Sequence, residues 1–167
     1  MQRTVLRKPF SSATESRRGT ATVEFAVTAP LFITILLGIA EMSRGLDASQ
    51  RLSVAVREGG REAASDMKGL VPSATTTNQK VINDIKNMLT AGGIDGSKVA
   101  VTITYADGSR AGQTFNLQDG NNYLQYFKVT ATVPYEDIGA FPLRILKGKN
   151  LSASVVFRLG RSSTLSG

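Results

Sequence analysis

The order of apolar and polar positions divides the chain into four stretches. Residues 1–18 are polar, basic and rich in Ser and Thr, with no apolar period, which predicts a disordered leader. Phe25 to Ala40, "FAVTAPLFITILLGIA", then runs 16 residues without a charge. A membrane-crossing helix needs about 20 residues, range about 17–25. The run reaches that length by taking in Thr20–Val23, which requires Glu24 to be tolerated within it. Pro30 and Gly38 are admissible, because a membrane helix can have freed backbone groups served by its neighbours.

After Glu41 the composition changes but helical spacing persists. Met42, Leu46, Ser49, Ser53, Val56, Gly60, Ala63 and Met67 recur four and three residues apart, so a small and apolar stripe is expected along a helix to about Lys68. Arg44, Asp47, Arg51, Glu58, Arg61 and Glu62 take the opposite side, with Asp47 and Arg51 spaced as an i,i+4 ion pair. Gly59-Gly60 weakens such a helix by about 1 kcal/mol per glycine relative to alanine. Two readings stay open for it: close approach of another backbone, or a helix break.

Beyond "GLVPSATTTNQ", which offers a Pro stop and Ser/Thr caps, Val81, Ile82, Ile85, Met88 and Leu89 follow the period of an amphipathic helix that "AGG" at 91–93 ends. The rest alternates like strands. Val99, Val101, Ile103 and Tyr105 share one face, "DGSR" at 107–110 signals a hairpin, and "QTFNL" is the candidate return strand. "QDGNN" at 118–122 reads as a turn, followed by alternation at Phe127, Val129, Ala131 and Val133, and by a last strand from Leu151 to Leu159. The predicted class is α+β: a long N-terminal transmembrane and amphipathic helix, then a second helix packed on a small antiparallel sheet. The expected divisions are a leader at 1–19, a transmembrane helix at 20–40, a helix extension at 41–70 and an exported α+β domain at 71–167.

Charge sharpens the N-terminal picture. The chain carries +7 overall. In residues 1–19, Arg3, Arg7, Lys8, Arg17 and Arg18 stand against Glu15 alone. Cations before an apolar run are retained on the cytoplasmic side, so topology explains the excess better than nucleic acid does. A nucleic-acid partner is not expected, since neither a basic recognition helix nor aromatics among the basic residues are present. With no Cys and no His, disulfides, thiolate chemistry, Cys/His zinc sites and Ser–His or Cys–His relays are excluded.

Glu24 is the residue that this picture does not absorb. A carboxylate costs about 2.5–3.5 kcal/mol at the centre of a membrane helix, and less toward its edge. It is either a solvated interfacial side chain or a functional one. Its flanks, Arg17-Arg18-Gly19, then Thr20-Ala21-Thr22-Val23, then Glu24-Phe25 and a long apolar helix, resemble the prepilin signal of type IV-like pilins. With "RRGTATVEFAVTAPLFITILLGIAEMSR" and "AVREGGREAA", the stretch from Arg17 to Ala64 more narrowly resembles the TadE-like pseudopilins of the Flp/Tad (tight adherence) pilus.

The resemblance implies cleavage between Gly19 and Thr20 by a prepilin peptidase on the cytoplasmic side, with Arg17 and Arg18 lost in the leader. It implies a single-pass inner-membrane protein with a cytoplasmic N-terminus and a periplasmic C-terminal domain. Its partners would be the peptidase, other pilins and pseudopilins, inner-membrane Tad assembly proteins and membrane lipid. The chain is far larger than the major Flp pilins, so the implied role is that of a minor pilin in assembly of a pilus used for adherence. Glu24 of one subunit could then neutralise the freed Thr20 amine of its neighbour. Removing one partner of such a buried pair costs about 3–5 kcal/mol.

Two rivals concern processing. Gly38-Ile39-Ala40 offers signal peptidase a cut before Glu41, which would release a soluble periplasmic domain, and an uncleaved signal anchor would hold the same domain at the membrane. Neither enters a pilus. An enzyme is not expected, nor a cofactor or metal: Asp107, Asp119, Glu136 and Asp137 lie in or beside turns, where Asp serves the backbone. Finally, "IGAFPLRILKGK" at 138–149 joins two strands through Phe141, Leu143 and Arg144. It is either a loop closing over the core or a partner or membrane-surface contact.

Overall fold

The computed structural model describes residues 13–65, 71–138 and 147–160, with side chains from Gly19 onward. It comprises two compact units, Met1–Ile39 and Ala40–Gly167, and helix α1 (Ala13–Ala64) contributes to both. Its start at Ala13 corrects the expectation of disorder through residue 18; residues 1–12 lie outside the described part.

The second unit combines α1 from Ala40 with α2 (Thr77–Ala91), β1 (Ala100–Tyr105), β2 (Tyr126–Pro134) and β3 (Asn150–Arg158). The strands form an antiparallel sheet in the order β1-β2-β3, as the α+β reading requires. Helix α2 begins where Thr76 caps it, the hydroxyl accepting from the Gln79 N–H at 3.2 Å. It buries Thr77, Val81, Ile85 and Leu89, one residue per turn, and stops at Gly92 before Gly93 turns the chain at φ +84°.

Alternation holds best in β2, where Phe127, Val129, Ala131 and Val133 are fully buried while Lys128, Thr130 and Thr132 between them are not. The aromatic side chains continue from strand to strand. Tyr105 meets Phe115 edge-on at 4.7 Å between centroids, and Phe115, Phe127 and Phe157 follow at 5.3 and 6.4 Å. Both helices lie on the core side of the sheet with these rings.

The segment after β1 is less regular than expected. "DGSR" and "DGNN" fold as single 3₁₀ turns, Gly108–Arg110 and Gly120–Asn122, and "QTFNL" pairs with β1 only through an isolated Thr104–Thr114 bridge. Side-chain amides take over there. Asn78 of α2 donates to the Phe115 carbonyl at 2.6 Å and accepts from the Leu117 N–H at 2.9 Å, supplying both bonds that a strand would have made. Buried Asn122 accepts from the Tyr105 hydroxyl at 2.7 Å and donates to the Asn116 carbonyl at 2.9 Å.

The buried stripe of α1 keeps the expected Val56, Gly60 and Ala63 but differs from the expected one before them. Glu41, Gly45, Ala48, Leu52, Ala55, Val56, Gly59, Gly60 and Ala63 face inward, whereas Met42, Leu46 and Ser53 are exposed. Both sets satisfy helical spacing, and the inward set carries the smaller side chains, which let α1 lie close to its neighbours. Gly59-Gly60 neither breaks the helix nor meets a backbone. Side chains fill the space: a Cβ at Gly59 would stand 2.3 Å from Ile85 Cγ1, and one at Gly60 2.5 Å from the Phe157 ring. The charged side is likewise engaged. Arg51 pairs with Asp47 at 2.9 Å, as expected, and also donates to the Gly92 carbonyl at 2.7 Å. Lys80 of α2 reaches Glu62 and Asp84 at 2.6 Å each. These contacts hold the Lys80 ammonium above the ordinary lysine range, chiefly through Asp84 and then Glu62.

Candidate functional site: the N-terminal helix

From Val23 to Ile39 large apolar side chains recur in every turn of α1, and most of them are exposed. Val23, Phe25 and Val27 are exposed, then Leu31, Phe32, Ile33, Ile35, Leu36 and Ile39. At about 100° per residue these nine side chains together point all round the helix axis. An amphipathic surface helix has one apolar stripe. A helix apolar all round needs an apolar medium or other helices. The helix is long enough to cross a membrane, with mean hydropathy 2.1 over its most apolar stretch, none of which is buried.

The backbone stays helical through Pro30, and Thr34 turns its hydroxyl onto the Pro30 carbonyl at 2.8 Å. Thr28 makes the equivalent contact to the Glu24 carbonyl. Such back-bonding keeps hydroxyls satisfied against their own helix where water is absent.

The residues singled out for processing sit at the start of this stretch. Gly19 is exposed, and a Cβ added there would meet nothing within 4 Å. Thr20 and Glu24, four residues apart in a helix, project on one side a turn apart, and both side chains are exposed. Phe25 is 72% exposed. Arg17 and Arg18 belong to α1 by their backbone, but their side chains fall outside the described part. Residues 19–61 match the family model of TadE-like proteins.

That stretch, a minority of the chain, is what is similar to TadE-like proteins. The match supports a TadE-like protein of the Tad/Flp pilus system, and together with the apolar helix it indicates membrane anchoring and association with other pilus components. No curated protein and no solved structure matches the chain. The TadE-like match ends within the buried part of α1, so α2 and the sheet stand beyond it.

The other sites named from sequence are dispersed. Phe141, Leu143 and Arg144 lie outside the described residues. Of the loop that contains them, Ile138 borders a cavity of about 240 Å³ with Arg44 and Arg51, and the Lys149 carbonyl accepts from the Tyr135 N–H at 2.8 Å. Asp119 accepts from the Asn121 N–H at 2.9 Å, which makes it a turn residue. Among the described residues no group of three acidic side chains is placed to hold a metal ion.

Glu41 was missed by sequence reasoning. It follows the apolar run directly, is 2% exposed, and its carbonyl accepts from the Tyr135 hydroxyl at 2.8 Å. Burial, and then the Glu41 charge, push the Tyr135 phenol above the usual tyrosine range, while Arg44 opposes the shift. The available signal was spacing: Glu41 begins the inward stripe that continues at Gly45, Ala48 and Leu52.

Proposed function

We propose that this TadE-like protein is a minor pilin (pseudopilin), cut after Gly19 by prepilin peptidase, that takes part in assembling a Tad/Flp pilus used for adherence. The observation that carries the reading is an apolar stretch of helix whose large side chains are mostly exposed, bearing a single carboxylate one turn from the residue that would become its N-terminus. Arg17 and Arg18 hold the leader in the cytoplasm, and the domain from Ala40 onward faces the periplasm. The protein performs no catalysis and carries no cofactor. Its partners are the peptidase, other pilins and pseudopilins, inner-membrane Tad assembly proteins and lipid.

Cleavage would create an ammonium at Thr20 within the low-dielectric part of a helix bundle. Glu24 of an adjacent subunit would neutralise it, and this fixes the axial register of the helices. An exposed Glu24 is available for such a partner. The alternative cut before Glu41 fits poorly. It would place a new α-ammonium on a residue buried in the domain, in the middle of a helix.

Mass spectrometry of the protein isolated from cells tests the processing step: the mature chain should begin at Thr20, and a start at Met1 or Glu41 would overturn it. Glu24→Ala should fractionate with the membrane yet fail to co-assemble with the other pilins. Normal co-assembly would remove the pairing.

A further inference from the structure

The sheet of the second unit has two edges, and the chain treats them differently. Outside β1, the segment after it folds back and occupies the edge. Phe115 N–H donates to the Ile103 carbonyl at 3.0 Å, Tyr105 N–H to the Gln113 carbonyl at 2.9 Å, and Thr114 bridges Thr104. Outside β3, among the described residues, no strand pairs. Strand β3 is nine residues long, against about 5–6 for a typical strand.

Edge strands of soluble domains are commonly blunted by proline, by lysine, by bulges or by shortness. β3 has none of these: its nine residues, NLSASVVFR, pair with β2 without interruption and hold one charge, at the last position. Its inward row of Leu151, Ala153, Val155 and Phe157 is only half-buried, where the matching row of β2 is fully buried. Among the described residues the edge thus has neither strand partners nor full apolar cover, and an added antiparallel strand supplies the two together.

We infer that the outer edge of β3 is an interface, and that its occupant is β3 of a second copy of this chain, paired antiparallel about a two-fold axis through Ser154. The strand is self-complementary in that register. Leu151 falls opposite Phe157 and Ala153 opposite Val155, so apolar residues meet on the core side, while Ser152 falls opposite Val156 on the other face. Asn150 falls opposite Arg158, and the two Arg158 side chains end at opposite corners, about 26 Å apart at about 3.3 Å per residue. A shift by one residue would turn the apolar row of one copy to the solvent side of the other. The result is a continuous six-stranded sheet. This interface uses neither Glu24 nor the apolar helix, so it can stand whether or not the processing proposal does.

The chain contains no cysteine, so one introduced thiol reports on pairing between copies. In the two-fold register Ser154 faces itself at a Cα separation of about 4.5–5.5 Å, within the range of about 4.4–6.8 Å that a disulfide spans. Two copies of Ser152 stand about 13 Å apart along the strands. Full-length Ser154→Cys in detergent or native membrane, under mild oxidant, should therefore form dimer at least about tenfold faster than Ser152→Cys. The double variant Ser152→Cys/Val156→Cys should cross-link as well, and adding Ser154→Lys to it should abolish cross-linking by placing two ammonium groups side by side. The unfolding midpoint by tyrosine fluorescence should stay unchanged, because Ser154 is exposed.

Equal rates at Ser152 and Ser154 would mean random collision and would overturn the proposal. So would a failure to cross-link, whether the β3 amides exchange freely, are protected in the monomer by the chain's own cover, or become protected only when a different protein is added.

Discussion

Helix α1 places two kinds of apolar sequence on one element, and the contrast between them explains the molecule. From Gly19 to Ile39 it carries large side chains in every direction, and most of them are exposed. From Ala40 to Ala64 it carries smaller ones, and one stripe of them is closed over by α2 and the sheet. Large and unsorted side chains suit a medium that accepts any face, as lipid and packed helices do. Small and sorted ones suit a single neighbour at short range. Apolar content alone does not separate the two halves; the width of the apolar surface does.

The largest expected effects break the comparison at matched leucines. Leu52→Ala, at a fully buried position, should cost about 2–5 kcal/mol of domain stability. Leu36→Ala, at a position 57% exposed, should leave the domain unchanged. Tyrosine fluorescence during guanidinium unfolding of the full chain reads this difference cleanly. All four tyrosines lie at or beyond Tyr105, and there is no tryptophan. Charge inverts the order. Leu36→Arg should weaken membrane insertion by about 2.5–3.5 kcal/mol, seen as protein lost from the membrane fraction, and spare the domain's unfolding midpoint.

A smaller effect tests the close packing. Gly60→Ala sets a methyl group against the Phe157 ring and should cost about 1–3 kcal/mol. Gly19→Ala meets open space and should have no effect on the domain. Equal midpoints for the two variants would mean that α1 does not lie on β3 as described.

Tyr135→Phe should produce the smallest change, about 0.5–1.5 kcal/mol at neutral pH, from loss of the hydrogen bond to the Glu41 carbonyl. Its pH dependence is more informative than its size. The folded state holds the phenolic proton more tightly than the unfolded state does. That contribution is complete below the ordinary tyrosine value of about 10 and is lost as pH rises through the raised one. The gap between wild type and Tyr135→Phe should therefore narrow above about pH 10. A constant gap would mean that Tyr135 is not buried against Glu41.

Much of the fold was legible because it is written in short-range periods. Val81, Ile85 and Leu89 announce α2, and the alternation from Phe127 to Val133 announces the central strand, since each period belongs to one geometry only. The return at "QTFNL" pairs with β1 over a shorter length than the pattern suggests, because beyond residues 113–115 the amide of Asn78, thirty-seven residues away from Phe115, takes over the bonding. No local signal marks an asparagine that replaces a strand. The candidate processing residues were legible as a motif, yet whether the helix around them is covered could be judged only from the whole chain.

By itself the sequence determined that an apolar run, long enough to span a membrane once Glu24 is taken into it, begins just after Gly19, and that an α+β domain follows it, because length, charge and period act within a few residues. Which side of the α1 extension is buried was decided only by the tertiary structure. The stripes beginning at Met42 and at Glu41 are both helical in spacing and share Val56, Gly60 and Ala63; before these, the side with Gly45, Ala48 and Leu52 is the one that the domain buries. The same holds for the unequal edges of the sheet: nothing within β1 or β3 says which of them another segment of the chain will cover.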